Sequence, residues 1–158
     1  MEHSLPVVIA RPLPEQGPEP VAAYRGPAFR FRDQLAPVAG PIELLRDPRG
    51  ARVVPELDWI RDVEPAAHPL AVARNSSGEV VSICHSACGT ARAAEAGVET
   101  AAGYRGRGLA GDVVLAWAAA VLAGGRLPLY STQWTNHASR AVARKLGLIM
   151  YAEDYHCP

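Results

Sequence analysis

Gly103-Tyr104-Arg105-Gly106-Arg107-Gly108-Leu109-Ala110-Gly111 runs directly into the apolar stretch Val113-Val114-Leu115-Ala116-Trp117-Ala118-Ala119-Ala120-Val121-Leu122. The second stretch predicts a helix over about 109–123 that stops at Gly124-Gly125, where glycine suits a left-handed C-terminal turn. The first predicts a glycine-rich, basic loop at the start of that helix. The first amides of a helix lack an intrahelical acceptor, and the helix dipole favours negative charge there. Glycine lets backbone come close to a ligand. The segment therefore suits phosphate oxygens held on the amides of Arg107 to Ala110, with Arg105 and Arg107 adding charge.

Outward from this loop the chain reads as short, regular elements. Pro69 to Arg74 predicts a strand, Asn75-Ser76-Ser77-Gly78 a hairpin turn, and Glu79 to Cys88 the return strand. Gly89-Thr90 turns the chain, and Glu95 to Ala101 is a third strand. After the long helix come a strand over 127–134, a helix over 137–146 opened by Asn136 and stopped by Gly147, and a last strand over 148–151. Three antiparallel strands leading into strand–helix–strand–helix–strand give a mixed α/β, α+β-like pattern. Twelve of the 14 prolines lie before residue 70, so segments 11–20 and 37–50 read as loops. The 158 residues read as one domain, with an irregular part over 1–68 and a core over 69–152.

Gly106 to Gly111 also matches G-x-G-x-x-G, the dinucleotide-binding pattern. That pattern needs a buried strand directly before the first glycine and an acidic residue about 20 positions later. Here a loop precedes it, and no Asp or Glu occurs between Asp112 and Glu153. No Gly-Lys-Ser/Thr follows, which excludes a P-loop.

Read from Arg105, the same residues match R/Q-x-x-G-x-G/A. A second segment follows: Asn136-His137-Ala138-Ser139, then Ala141-Val142-Ala143-Arg144-Lys145-Leu146-Gly147-Leu148. In that order, the two resemble the cofactor motifs of the GNAT superfamily of N-acetyltransferases, the second as N-x-x-S/A … K-x-G-F. Glu95-Ala96-Gly97-Val98-Glu99-Thr100 and Pro128-Leu129-Tyr130-Ser131-Thr132 are similar to a bacterial subgroup. The resemblance covers about 70–152. It implies the GNAT fold: a central, mostly antiparallel twisted sheet with flanking helices and a splayed strand pair holding acetyl-CoA.

By resemblance, Arg105, Gly106, Arg107, Gly108, Leu109 and Ala110 would hold the pyrophosphate. Backbone groups of Val98 and Thr100 would face the acetyl-bearing arm, where an amide polarises the thioester carbonyl. Asn136 would contact that arm, cap its helix, or both, and Ser139 shares this ambiguity; Ser131 joins the cofactor-side set. A protonated primary amine, with pKa near ~10, must lose a proton before it can attack. Glu99 is the first candidate to accept it, since burial beside the acetyl group would strengthen its carboxylate as a base. Glu95, on the same strand face, is the reserve. Many relatives carry a tyrosine seven residues after the motif Asn to protonate the thiolate. Here that position is Ala143, leaving Tyr130, Tyr151, Ser131 or water.

The implied reaction is direct attack by an amine on acetyl-CoA in a ternary complex, with no metal. The acceptor could be a small amine such as an aminoglycoside-type antibiotic, or a protein N-terminus or lysine. A coenzyme-A-binding sensor without catalysis is the alternative from another class. The walls of the acceptor site would come from the first 68 residues, where Tyr24, Phe29, Phe31, Asp58 and Trp59 are wall or core. Zero formal net charge gives no drive toward nucleic acid or membranes, and a homodimer is an open alternative. No apolar run reaches ~18 residues, no basic leader precedes an apolar core, and three cysteines suit a reduced, cytoplasmic protein. Cys84-His85-Ser86-Ala87-Cys88 is not read as a metal site, because on one strand face the two thiols lie ~13 Å apart. Ser82, Cys84 and Ser86 would then form a small face able to line a cleft, Trp117 reads as core, and Arg140, Arg144 and Lys145 as a solvated helix face of which one could, by resemblance, meet the 3′-phosphate of coenzyme A.

Overall fold

The computed structural model describes residues 24–64 and 67–156. Seven strands form one sheet: β1 (Tyr24–Arg30), β2 (Ile42–Leu45), β3 (Leu70–Arg74), β4 (Val80–Gly89), β5 (Ala93–Thr100), β6 (Leu127–Ser131) and β7 (Ile149–His156). Their order is β2-β3-β4-β5-β6-β1-β7. Two α-helices, α1 (Leu109–Ala123) and α2 (His137–Lys145), complete the mixed α/β architecture with a 3-10 helix at Pro55–Asp62.

The β3–β4 hairpin follows from Asn75. Its side-chain carbonyl accepts from the amides of Ser77 at 3.0 Å and Glu79 at 2.9 Å, closing the turn around Gly78. Helix α1 matches its predicted span and buries Val113, Val114, Trp117, Ala118 and Val121. Trp117 lies at the centre of that core; its ring meets Phe31 at 6.4 Å, and its indole N–H donates to Ser86 Oγ at 3.2 Å. A second apolar cluster covers the other sheet face, where Leu57 and Ile60 of the 3-10 helix pack on Leu70, Val72 and Ile83. The sheet thus has a helix face and an opposite face.

Two strands lie where the sequence predicts irregular chain. β1, inside the part over 1–68 read as irregular, sits between β6 and β7. A four-residue edge strand, β2, falls inside the 37–50 loop; short edge strands between prolines carry little pattern. The 127–134 strand ends at Ser131, and the last strand runs on to His156. Segment 11–20, the Tyr24 side chain and Cys157 lie outside the described residues. Among the described residues no helix is long and apolar enough to cross a membrane.

β4 holds a further correction. Register shifts between Ser86 and Cys88, which pair with Ala96 and Glu95. One extra residue in a strand flips every following side chain. Cys84 therefore lies in the helix-face core, whereas Cys88 shares Glu95's side of the sheet. Ser82, Cys84 and Ser86 are all buried. Ser82 Oγ instead meets Thr100 Oγ1 at 2.7 Å.

Candidate active site

Every strand pair is antiparallel except β5–β6, which is parallel and runs only from Ala93↔Leu127 to Glu95↔Leu129. Beyond Glu95 the two strands diverge. Two adjoining cavities, about 500 and 270 Å³, fill the opening and share Val98, Asn136 and Ser139. The larger runs from Val98 and Thr100 to the glycine loop, and the smaller lies between Gly97 and Ser131.

The loop has the predicted form. Gly106 and Gly108 take φ of +74° and +85°, conformations that suit glycine, and Gly108 caps α1 without a side chain. Arg105, Gly106, Gly108, Leu109 and Ala110 line the larger cavity. Arg105 Nε donates to the Thr100 carbonyl at 3.1 Å, tying the loop to β5. Arg107 is not among the lining residues: its guanidinium lies 5.1 Å over the Tyr104 ring and donates to the Gly103 carbonyl at 3.0 Å.

Asn136 lines both cavities, and its side chain accepts from the Ser139 amide at 3.0 Å to cap α2. Lys145, read from sequence as solvated, faces the glycine loop: a Cβ on Gly108 would lie 3.3 Å from its Nζ. The signal was present. Ala138, Ala141, Val142 and Lys145 line the cavity at spacings of three, four and seven, one helix face. That face carries no carboxylate, so a phosphate would meet a glycine cradle, a helix N-terminus and a free-ended cation. These features fit a pyrophosphate-bearing ligand.

The tyrosines separate. Tyr130 is buried at 1% exposure on the helix face, with its hydroxyl 2.6 Å from Ser139 Oγ beside the smaller cavity. Ala143, where relatives carry tyrosine, is buried in the core. Tyr151 is 47% exposed; burial first, then Glu95 and Asp154, push its phenol above the usual range.

The two carboxylates also separate. Glu95 is half-buried at the apex of the splay; Ser131 Oγ donates to its Oε1, and Cys88 Sγ lies 3.9 Å from its Oε2. Glu99 is exposed, not buried as the sequence reading required, and lines the larger cavity, while its backbone still pairs with Ile83 of β4. Trp59 Nε1 donates to Glu99 Oε2 at 3.2 Å. Asp58 pairs with Arg61 on the surface, while Phe31 is core. Burial pushes the Cys84 thiol well up, and burial with Glu95 pushes Cys88 up. Neither thiol is a ready nucleophile. Among the described residues no group of His, Cys, Asp and Glu could hold a metal ion.

The sheet thus parts at one parallel pair, and a glycine loop at a helix N-terminus stands at the mouth of the opening. The chain belongs to the GNAT acetyltransferase family, whose model matches residues 70–157, and the family is a class of acyltransferases. The fold is similar to a GNAT-family protein from Novosphingobium aromaticivorans, with 18% identity, a TM-score of 0.68 and coverage of 86% of this chain and 64% of that one. It is also similar to a GNAT-family acetyltransferase from Colwellia psychrerythraea, with 15% identity, a TM-score of 0.63 and coverage of 86% and 56%. The chain thus spans somewhat under two thirds of these proteins' lengths. No curated protein matches the sequence.

Proposed function

We propose that the protein transfers acetyl from acetyl-CoA to a primary amine of a small molecule by direct attack in a ternary complex. The observation that carries this reading is the continuity of the phosphate loop with the splay of β5 and β6 through shared lining residues. Pyrophosphate would rest on the first amides of α1, with Arg105 and Lys145 alongside. The extended arm would run along Val98 to Thr100, taking β-type hydrogen bonds that the diverged β6 no longer supplies. An amide there would stabilise the developing oxyanion.

The acceptor would then approach from the opposite face, where Glu95 stands. The protonated amine gives one proton to the Glu95 carboxylate, its nitrogen then bonds to the acetyl carbon, and the carbon–sulfur bond breaks with its electron pair on sulfur while the nitrogen's second proton passes through solvent to the Tyr130–Ser139 hydroxyl pair. The Tyr130–Ser139 hydroxyl pair, on the helix face beside the departing sulfur, supplies the proton that makes the thiol. This pair takes the part that Ala143 cannot play and favours an enzyme over a non-catalytic sensor. Two raised thiol pKa values speak against an acyl-cysteine route.

Glu95→Gln should lower kcat about 100-fold, as expected for losing a general base, and abolish the acidic limb of the pH–rate profile. Glu99→Gln should keep that limb; if instead it alone removes the limb, Glu99 is the base. Lys145→Ala should weaken acetyl-CoA binding roughly tenfold through loss of one charge-assisted phosphate contact. Calorimetric titration checks this, and unaltered affinity would remove Lys145 from the site.

A further inference from the structure

We infer that the acceptor carries a second positive charge and that Trp59 and Glu99 form the corner that recognises it. The inference rests on the acetyl-transfer reading and names the acceptor class for that site: a small amine with a further cationic group.

Three elements build the corner. Trp59 comes from the 3-10 helix Pro55–Asp62, His85 from β4, and Gly97 and Glu99 from β5. The indole meets the His85 imidazole edge-on at 5.2 Å and donates its N–H to Glu99 Oε2. His85 in turn occupies the space a side chain at 97 would need: a Cβ there would lie 2.5 Å from its Cε1 and 3.0 Å from the Ala87 Cβ. The His85 ring thus lies over the Gly97 backbone between Glu95 and Glu99, and its edge-on contact with Trp59 fixes the wall beside it.

The charge of this corner is unanswered within the described residues. Glu99 joins none of their ion pairs, which are Arg25–Glu153, Arg49–Asp47, Arg61–Asp58 and Arg74–Glu43. His85 does not supply a cation either, because burial pushes its imidazole below the usual range and leaves it neutral at neutral pH. A neutral N–H donor orients the carboxylate and leaves its charge intact, unlike an arginine partner. Glu95 and Glu99 project on one side of β5 with their Cα atoms about 13 Å apart. An acceptor whose reacting amine meets Glu95 could place a second cation at Glu99, against the 37% exposed Trp59 ring.

The test compares α,ω-diaminooctane with octylamine, which share an apolar length and differ in one positive charge. Wild-type protein should use the diamine with the higher kcat/KM. Glu99→Gln and Trp59→Phe should each lower that preference about tenfold, the size of one charge-assisted contact. Trp59→Phe keeps a ring on His85 and removes only the donor, so the double variant should fall no further than Glu99→Gln alone. Trp59→Phe should retain acetyl-CoA affinity by calorimetry, and Glu99→Gln, which removes a negative charge from the lining of the larger cavity, should bind acetyl-CoA at least as tightly as wild type. Equal use of the two amines by wild type, an unaltered preference in Glu99→Gln, or loss of acetyl-CoA affinity together with the preference overturns the inference. Should Trp59→Phe not fold, Glu99→Gln, at an exposed position, carries the comparison alone. If neither amine is acetylated, the transfer reading fails, and the inference is decided by the Trp59 indole N–H resonance. A shift with the diamine in wild type that Glu99→Gln lacks supports it, and no shift overturns it.

Discussion

Gly26→Ala is expected to lower the unfolding temperature by roughly 10 °C, the largest stability loss of any single methyl added to this sheet. A Cβ at residue 26 would lie 1.7 Å from the Thr132 carbonyl oxygen and 2.8 Å from Gln133 Cα. Both obstacles are backbone, so no rotamer change relieves them. The contact is also held from two sides: the Thr132 amide donates to the Pro27 carbonyl at 3.3 Å, and the Trp134 amide donates to the Arg25 carbonyl at 3.2 Å. Accommodating the methyl must break both bonds or push β1 off β6. Two hydrogen bonds at ~1 kcal/mol each plus overpacking of 1–3 kcal/mol give about 3 kcal/mol or more. In a domain of this size each kcal/mol moves Tm by about 2–4 °C. Gly50→Ala is the control, because a Cβ there meets nothing within 4 Å and its φ is not positive. Thermal unfolding of the pair decides the matter; equal midpoints would mean that β1 does not pack against the segment after β6 as described.

Gly108→Asp should weaken the binding of acetyl-CoA about 100-fold while leaving the fold in place. Residue 108 has φ +85° and precedes α1. Aspartate tolerates this backbone region better than most residues and is a favoured helix N-cap, so the substitution need not disturb α1. Its carboxylate would instead stand where phosphate oxygens approach and would take Lys145, whose Nζ is 3.3 Å from that Cβ position. Adding a like charge and occupying the cation together should cost about 3 kcal/mol of binding, roughly 100-fold in Kd. Gly108→Asn has nearly the same shape without the charge and should lose markedly less. Calorimetric titration of the three proteins separates charge from bulk. Wild-type affinity in the aspartate variant would remove the phosphate site from this loop.

The comparison of sequence and structure follows the range of the interactions. Helix α1 was legible to the residue because its apolar run, its glycine stop and its glycine entrance are all local. The β3–β4 hairpin was legible for the same reason, through Asn75 and Gly78. β1 was not: Gly26-Pro27 carries turn chemistry, and only the close pass of Thr132 explains a glycine inside a strand paired on both edges. Cys84 and Cys88 were assigned one face by strict alternation, and the bulge at Ala87 broke the alternation. In the site, the glycine loop and Asn136 could be read from spacing. Lys145 was left undistinguished among three cations of α2, one of which could meet a phosphate of coenzyme A, although its spacing on α2 matched the cavity face. Trp59 could not be assigned, since its partner Glu99 is 40 residues away and the two meet only across the sheet.

By itself the sequence determined the mixed α/β pattern, the phosphate-suited loop and the pair of motifs that carry the family resemblance, because each is written in contiguous residues whose backbone preferences act locally. Tertiary structure alone decided where charge and burial fall. It parted β5 from β6 after Glu95, exposed Glu99, set Glu95 against Ser131, and paired the buried Tyr130 with Ser139. Burial and proton-sharing depend on which distant strands and helices cover a side chain, and a one-dimensional pattern of residue types does not encode that coverage.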